Sequence, residues 1–190
     1  EKTFYWKGLY GENVNERETL QTNVNALLGF TPDLKEKHIS PKIIVLGNIS
    51  PTAQLMLLNK LRATTKPFVI LDTMNYWINN NLAELNNVIE KADLMVINSE
   101  EAEQLTSTKD TDQAAQTLIK KGPRYVIIKK GNQGATAYSR KKNFSIKALK
   151  QEKVVDTTGA GDSFAGGLAG HLSNVREIRF DSIKEALYFA

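Results

Sequence analysis

The chain has 190 residues, enough for one large or two small domains, with 41% hydrophobic and 24% charged residues in ordinary globular proportion. It contains no cysteine and only two histidines, His38 and His171, which excludes disulfides, thiolate metal sites, cysteine nucleophiles and a histidine-rich metal centre. The formal charge of +4 is unevenly placed: Lys120–Lys153 carries eleven basic residues against Glu152, while Glu84–Asp112 carries eight acids against two lysines. No nucleic-acid motif or aromatic platform accompanies the basic stretch, so it reads as a solvated β-hairpin with Arg140, Lys141 and Lys142 in its turn. No apolar run approaches the roughly 20 residues that span a bilayer, and none reads as a signal peptide. A soluble, cytoplasmic protein without nucleic-acid or membrane partners is expected.

In chain order, Phe4-Tyr5-Trp6 and Thr19–Val24 read as exposed-face strands, with Gly8, Gly11 and Asn13 as loop. Residues 1–35 are expected to form part of a small β flap, and residues 36–190 an α/β core. Four short aliphatic runs follow: Lys42–Leu46, Phe68–Leu71, Leu94–Ile97 and Tyr125–Ile128. Continuous apolar runs of this length predict strands covered on both faces. Helical patterns separate them: Pro51 to Leu61, Leu82–Ala92, Ser99–Leu105, and Thr111–Lys121 closed by Gly122-Pro123. Strand–helix alternation predicts right-handed crossovers and a mainly parallel sheet between helical layers. Gly131–Gly134 then reads as a turn, and Ala135–Ser139 with Phe144–Ala148 as a hairpin. A glycine-rich turn, Thr157–Gly161, opens a helix of small residues over Asp162–Leu172. Asp181-Ser182 signals one more helix start, whose pattern is still running at Ala190. Since the chain opens within a strand and stops within that pattern, it reads as the interior of a longer protein.

Ligands of open parallel sheets bind outside the carboxyl ends of the strands. Each of the four strands leaves a polar residue there: Asn48, Asp72, Asn98 and Lys129. The sharpest local signal is Asp156-Thr157-Thr158-Gly159-Ala160-Gly161-Asp162. Two glycines at a helix start admit close backbone approach, and the free N–H groups with the helix dipole make an anion site. A carboxylate directly after such a site, Asp162, suits a general base that removes a hydroxyl proton while a phosphoryl group is cradled. The two glycines inside the following helix, Gly166 and Gly167, each cost about 1 kcal/mol against alanine, which points to close packing or close ligand approach.

Asp156–Gly167 resembles the second signature of the PfkB-type carbohydrate kinases, the ribokinase-like family. Asn98-Ser99-Glu100-Glu101 is similar to that family's N-x-x-E segment, Lys129–Gly134 to its (K/T)-x-G-x-x-G segment, and Asp72-Thr73-Met74-Asn75 to the D-x-x-N of its sugar-kinase members. The resemblance implies a three-layer αβα sandwich with a mainly parallel sheet and a small β flap. It implies ATP-dependent phosphoryl transfer to a hydroxyl of a sugar or nucleoside. Asp162 would be the base, and Gly159, Ala160 and Gly161 the anion hole. Lys129, Gly131, Gly134 and Asn98 would serve the nucleotide, Glu101 Mg²⁺, and Asp156 with Thr158 a monovalent cation such as K⁺. Tyr5, Trp6 and Tyr10 of the flap could stack on a substrate ring or pack against a second copy in a homodimer; Asn13 and Arg17 are polar candidates beside them.

Two other readings compete. Gly161-Asp162-Ser163 also resembles the G-D-S block of SGNH esterases, with Ser163 as nucleophile. That serine needs a histidine base, and His171 lies eight residues on in the same helix, about two turns away. A kinase fold kept as a non-catalytic sugar sensor would be expected to lose Asp162 or the glycines, and both are present. No Walker A sequence occurs, which excludes a P-loop kinase.

Overall fold

A computed structural model describes residues 2–11, 17–35, 40–63, 65–150, 154 and 156–190. His38, Asn13 and the junction between the expected flap and core lie outside them, and the side chains of Tyr10 and Arg17 are likewise not described. Strands β1 (Tyr5–Tyr10) and β2 (Arg17–Asn23) pair antiparallel as a separate two-stranded sheet. The main sheet has six strands in the order β3 (Ile43–Leu46), β4 (Phe68–Asp72), β5 (Leu94–Asn98), β6 (Tyr125–Lys129), β7 (Ala135–Tyr138) and β8 (Asn143–Ile146). β3 to β6 are parallel; β7 and β8 return antiparallel. The expected parallel sheet and closing hairpin are both present.

The strand order never reverses, so the right-handed crossovers all fall on one face. That face carries α1 (Pro51–Arg62), α2 (Asn75–Asn80), α3 (Leu82–Ile89), α4 (Ser99–Thr106) and α5 (Thr111–Lys121). The other face is left for α6 (Ala160–Asn174) and α7 (Phe180–Ala186). The period of two along each strand feeds both layers: Met95 and Ile97 of β5 pack with α1–α5, whereas Leu94 and Val96 pack with α6 and α7. β4 and β6 divide in the same way. Each such fully buried side chain supplies about 1.5–3 kcal/mol of transfer free energy, and this double burial is why the strands read as unbroken apolar runs.

Local chemistry sets the helix starts. Ser50 Oγ accepts from Ala53 N–H at 3.2 Å ahead of Pro51, and Asp110 Oδ1 accepts from Asp112 and Gln113 N–H ahead of Thr111. The far end of α6 is fixed to the opposite side of the sheet: Lys42 Nζ, just before β3, donates to the carbonyls of Ser173 (2.7 Å) and Val175. With that end held at the amino edge of β3, the N-terminus of α6 reaches the carboxyl edge of the sheet.

Four expectations are corrected. Gly8 is not loop but part of β1, at a register shift, and a β-carbon there would strike the Trp6 indole lying over it. α2 is absent from the expected elements, because its six residues are too few to show a period. α6 begins at Ala160 rather than Asp162, because Gly159 takes the left-handed conformation (φ +78°) and lets the helix start at once. Ser182 does not start the last helix but sits in its first turn, its Oγ accepting from Arg179 N–H at 3.4 Å. That helix closes at Ala186, and Tyr188 and Phe189 bond back to Glu185 and Ala186 in a terminal turn.

Candidate functional site

Asn98 and Lys129 are partners in the β5–β6 register, and Asp72 ends β4 opposite Val96. Asn48 follows β3, whose last residue Leu46 pairs with Leu71. All four strand-end residues therefore stand at the carboxyl edge of the parallel strands. They do not share one task. Asn48 Oδ1 accepts from Trp77 Nε1 at 2.7 Å and anchors α2. Asn98 caps α4: its Oδ1 accepts from Glu101 N–H at 2.8 Å, while Glu101 Oε2 accepts from Asn98 N–H at 2.9 Å. Glu101 is nearly buried. Ser99 Oγ donates to Lys129 O at 3.3 Å, joining the start of α4 to the end of β6.

Asp72 and Lys129 instead face the start of α6. At Gly161 a β-carbon would come to 3.2 Å from Lys129 Nζ and 3.9 Å from Asp72 Oδ2. The Lys129 stem runs toward the Phe164 ring, with Nζ 6.0 Å from its centroid. Among the described residues no ion pair engages the Lys129 ammonium. Asp72 Oδ1 accepts from Thr73 N–H at 2.9 Å. Burial pushes the Asp72 carboxyl above its ordinary value; the Lys129 charge and the Thr73 N–H pull it back, and the Asp162 charge adds to the rise.

The backbone of the glycine turn supplies donors. Ala160 N–H is turned onto Thr157 O at 3.1 Å. The N–H groups of Gly159, Gly161 and Asp162 have no acceptor among the described residues, as expected of a helix start. Orphan donors, the positive end of a 15-residue helix and an ammonium thus converge on Gly161. Asp162 is exposed in the same first turn. Asp156 Oδ1 accepts from Thr158 N–H at 2.8 Å, and that bond holds the Asp156 carboxyl below its ordinary value.

The Lys129–Gly134 segment forms a tight loop. Lys130 N–H donates to Gly134 O at 2.7 Å, and Gly134 N–H to Gly131 O at 3.0 Å. Gly134 has φ +94°, and a β-carbon there would overlap the Ile146 carbonyl oxygen, so the hairpin β7–β8 closes against a position open only to glycine. No group of three or more His, Cys, Asp or Glu that could hold a metal ion occurs among the described residues. Ser163 is exposed on α6, and His171 points elsewhere: its ring stacks on Phe189 at 4.4 Å, with Nε2 3.9 Å from Glu185 Oε2. Of the two expected interior glycines, Gly167 is a packing site, where a β-carbon would overlap the Phe189 carbonyl, whereas Gly166 meets nothing within 4 Å.

The sequence places Asp72 at a strand end and at the head of the D-x-x-N segment, as an acid ending an otherwise apolar run, without assigning it a task in the site. Asn75, the last residue of that segment, bridges α2 to α4: its Nδ2 donates to Glu100 Oε1 at 2.7 Å.

Residues 15–190 match the family described as pfkB family carbohydrate kinase, and the chain belongs to that family. Its fold is ribokinase-like. The chain is 30% identical over 174 residues to a cytidine kinase of Thermococcus kodakarensis, covering 90% of this chain and 62% of that protein. It is 28% identical over 179 residues to an adenosine kinase of Saccharomyces cerevisiae, covering 84% and 53%. The crystal structure of adenosine kinase from Sinorhizobium meliloti superposes with a TM-score of 0.76 at 20% identity, covering 92% of this chain and 56% of that one. The chain thus spans rather more than half the length of these relatives. No helix among the described residues is long and apolar enough to cross a membrane.

Proposed function

We propose that the protein transfers the γ-phosphoryl group of ATP to a hydroxyl of a sugar or nucleoside, working in the cytoplasm. The relatives named above are called cytidine and adenosine kinases, which favours the nucleoside side. The observation that carries the reading is the convergence of Lys129 Nζ and the orphan N–H groups of the α6 start on Gly161, with Asp162 next in sequence.

In this reading Asp162 accepts the proton of the attacking hydroxyl. The hydroxyl oxygen forms the new bond to phosphorus as the bond to the ADP oxygen breaks, and that electron pair leaves with ADP. The donors of Gly159, Ala160 and Gly161, and the Lys129 charge, face the charge that develops on the transferring group. Ala160 would first release Thr157 O. Preorganised donors of this kind are worth ~10²–10³-fold each in a water-poor site. The Gly131–Gly134 loop and Asn98 would border the nucleotide, the former through backbone and the latter by ordering α4.

The donor set fits Mg²⁺ held largely through water. Glu101, a nearly buried carboxylate with Oε2 accepting from Asn98 N–H, would meet the ion through water, as suits an ion that keeps several waters. Bound Mg²⁺ would neutralise phosphate charge. Asp156 and Thr158 would offer oxygens to a monovalent cation such as K⁺. Residues 1–35 would act as a flap over the acceptor, with Tyr5, Leu9 and Leu20 exposed for a substrate or for a second copy. Assaying the intact protein for ADP release from ATP and Mg²⁺ against a panel of nucleosides and sugars tests the reading; ester hydrolysis with no ADP release would refute it.

A further inference from the structure

Asp72 has no part in the transfer as derived above, yet it occupies an expensive position. It is a carboxylate at the end of a buried strand, desolvated strongly enough that burial is the largest influence on it. Its surroundings narrow what it can do. Thr73 N–H holds one oxygen at 2.9 Å. The other oxygen, Oδ2, faces the point at Gly161 that Lys129 Nζ also faces, from 3.9 Å and 3.2 Å respectively. Lys129 is the cation acting most strongly on Asp72, and Asp162 the acid. Lysine carries its charge on a flexible stem with about 2 kcal/mol of rotamer entropy, so an ammonium stays at one spot only when something holds it there. Phe164 guides the stem from α6 at 6.0 Å, but a ring does not fix the head.

We propose that Asp72 is a positioning residue for Lys129: its fixed carboxylate holds the ammonium at the glycine turn, where Lys129 meets the transferring phosphoryl group. The arrangement rests on the kinase reading above. Asp72 and Lys129 do not close into an ion pair among the described residues, so the ammonium keeps donors free for an anion. Gly161 completes the set, because a side chain there would take the space that both charges face.

A double-mutant cycle in the intact enzyme tests this. Lys129→Met is expected to lower kcat by ~10²-fold, as for loss of one donor to a developing charge. Asp72→Asn is expected to lower kcat by ~10-fold with KM for the acceptor unchanged, and Asp72→Glu to recover part of that loss. The double variant is expected to be no slower than Lys129→Met, since without the lysine the carboxylate has nothing to position. Calorimetric titration with an ATP analogue that cannot transfer its phosphoryl group should show the same non-additivity in affinity. Multiplicative losses, with a raised Mg²⁺ requirement in Asp72→Asn, would overturn the proposal and place Asp72 on the metal. Should Asp72→Asn not fold, Asp72→Glu crossed with Lys129→Met reads the same coupling. A Lys129→Met enzyme as fast as the parent would instead remove the kinase assignment of Lys129, and the proposal with it.

Discussion

The ammonium of Lys129 stands 3.2 Å from the place a β-carbon on Gly161 would occupy, so the first turn of α6 and the end of β6 meet across a single missing methyl group. A close approach of this kind is easily relieved, because the lysine head can step aside. The function is what the step would disturb.

Gly161→Ala should therefore separate stability from activity. The displaced group is the tip of a flexible side chain, and alanine is the better helix former, so the unfolding free energy should change by less than about 1 kcal/mol. Phosphoryl transfer should fall at least ~10-fold, because the charge at the reacting centre has moved. Denaturant melts and ADP-release kinetics on one preparation check both. A drop in stability with full specific activity would count against the placement of Lys129.

The two glycines inside α6 should respond oppositely. Gly167→Ala drives a β-carbon into the Phe189 carbonyl and should destabilise by roughly 1–3 kcal/mol. Gly166→Ala meets nothing within 4 Å and should stabilise by up to about 1 kcal/mol. Equal effects from the pair would show that the terminal turn does not pack on α6 as described.

β4, β5 and β6 were legible because both of their faces are buried, which leaves unbroken apolar runs such as Leu94-Met95-Val96-Ile97. β3, expected to be covered in the same way, lies at the sheet edge, with Ile43 and Ile44 only partly buried and Val45 exposed. All four carboxyl ends could be placed on one edge from the alternation with helices alone. What each end residue does could not be read in this way. Asn48, Asp72, Asn98 and Lys129 look alike as polar punctuation, yet Asn48 and Asn98 spend their side chains on Trp77 and on the cap of α4, while Asp72 and Lys129 turn to Gly161. That division depends on which element crosses the edge, a long-range fact. Helix α2 was missed for a local reason: six residues hold too little periodicity to register.

Stability should depend on pH through Asp72. Its carboxyl is raised above the ordinary value by burial, against the pull of Lys129 from β6 and the Thr73 N–H and with the push of Asp162 from α6. The folded chain therefore binds this proton more tightly than the unfolded one. Its contribution to stability is greatest in acid and is lost as pH rises through the window between the unfolded and the raised folded value. Asp72→Asn removes the cost, so the variant should be the more stable protein at pH 7. Its advantage should vanish below the ordinary carboxylate range. Urea melts of parent and variant across pH 3–7 check the sign; a variant less stable at pH 7 would contradict it.

Mutating Asp162 addresses the central claim most directly. Asp162 is the acid that directly follows the anion-binding turn, and a hydroxyl is too weak an acid to attack phosphorus unaided at neutral pH. A positioned carboxylate typically contributes ~10²–10⁴-fold. In the intact enzyme Asp162→Asn should lower kcat for phosphoryl transfer by at least ~10²-fold, with ATP affinity little changed because the donors of the turn are backbone. Ser163→Ala, assayed beside it, should be nearly silent. An Asp162→Asn enzyme that transfers phosphoryl groups at the parent rate would contradict the account.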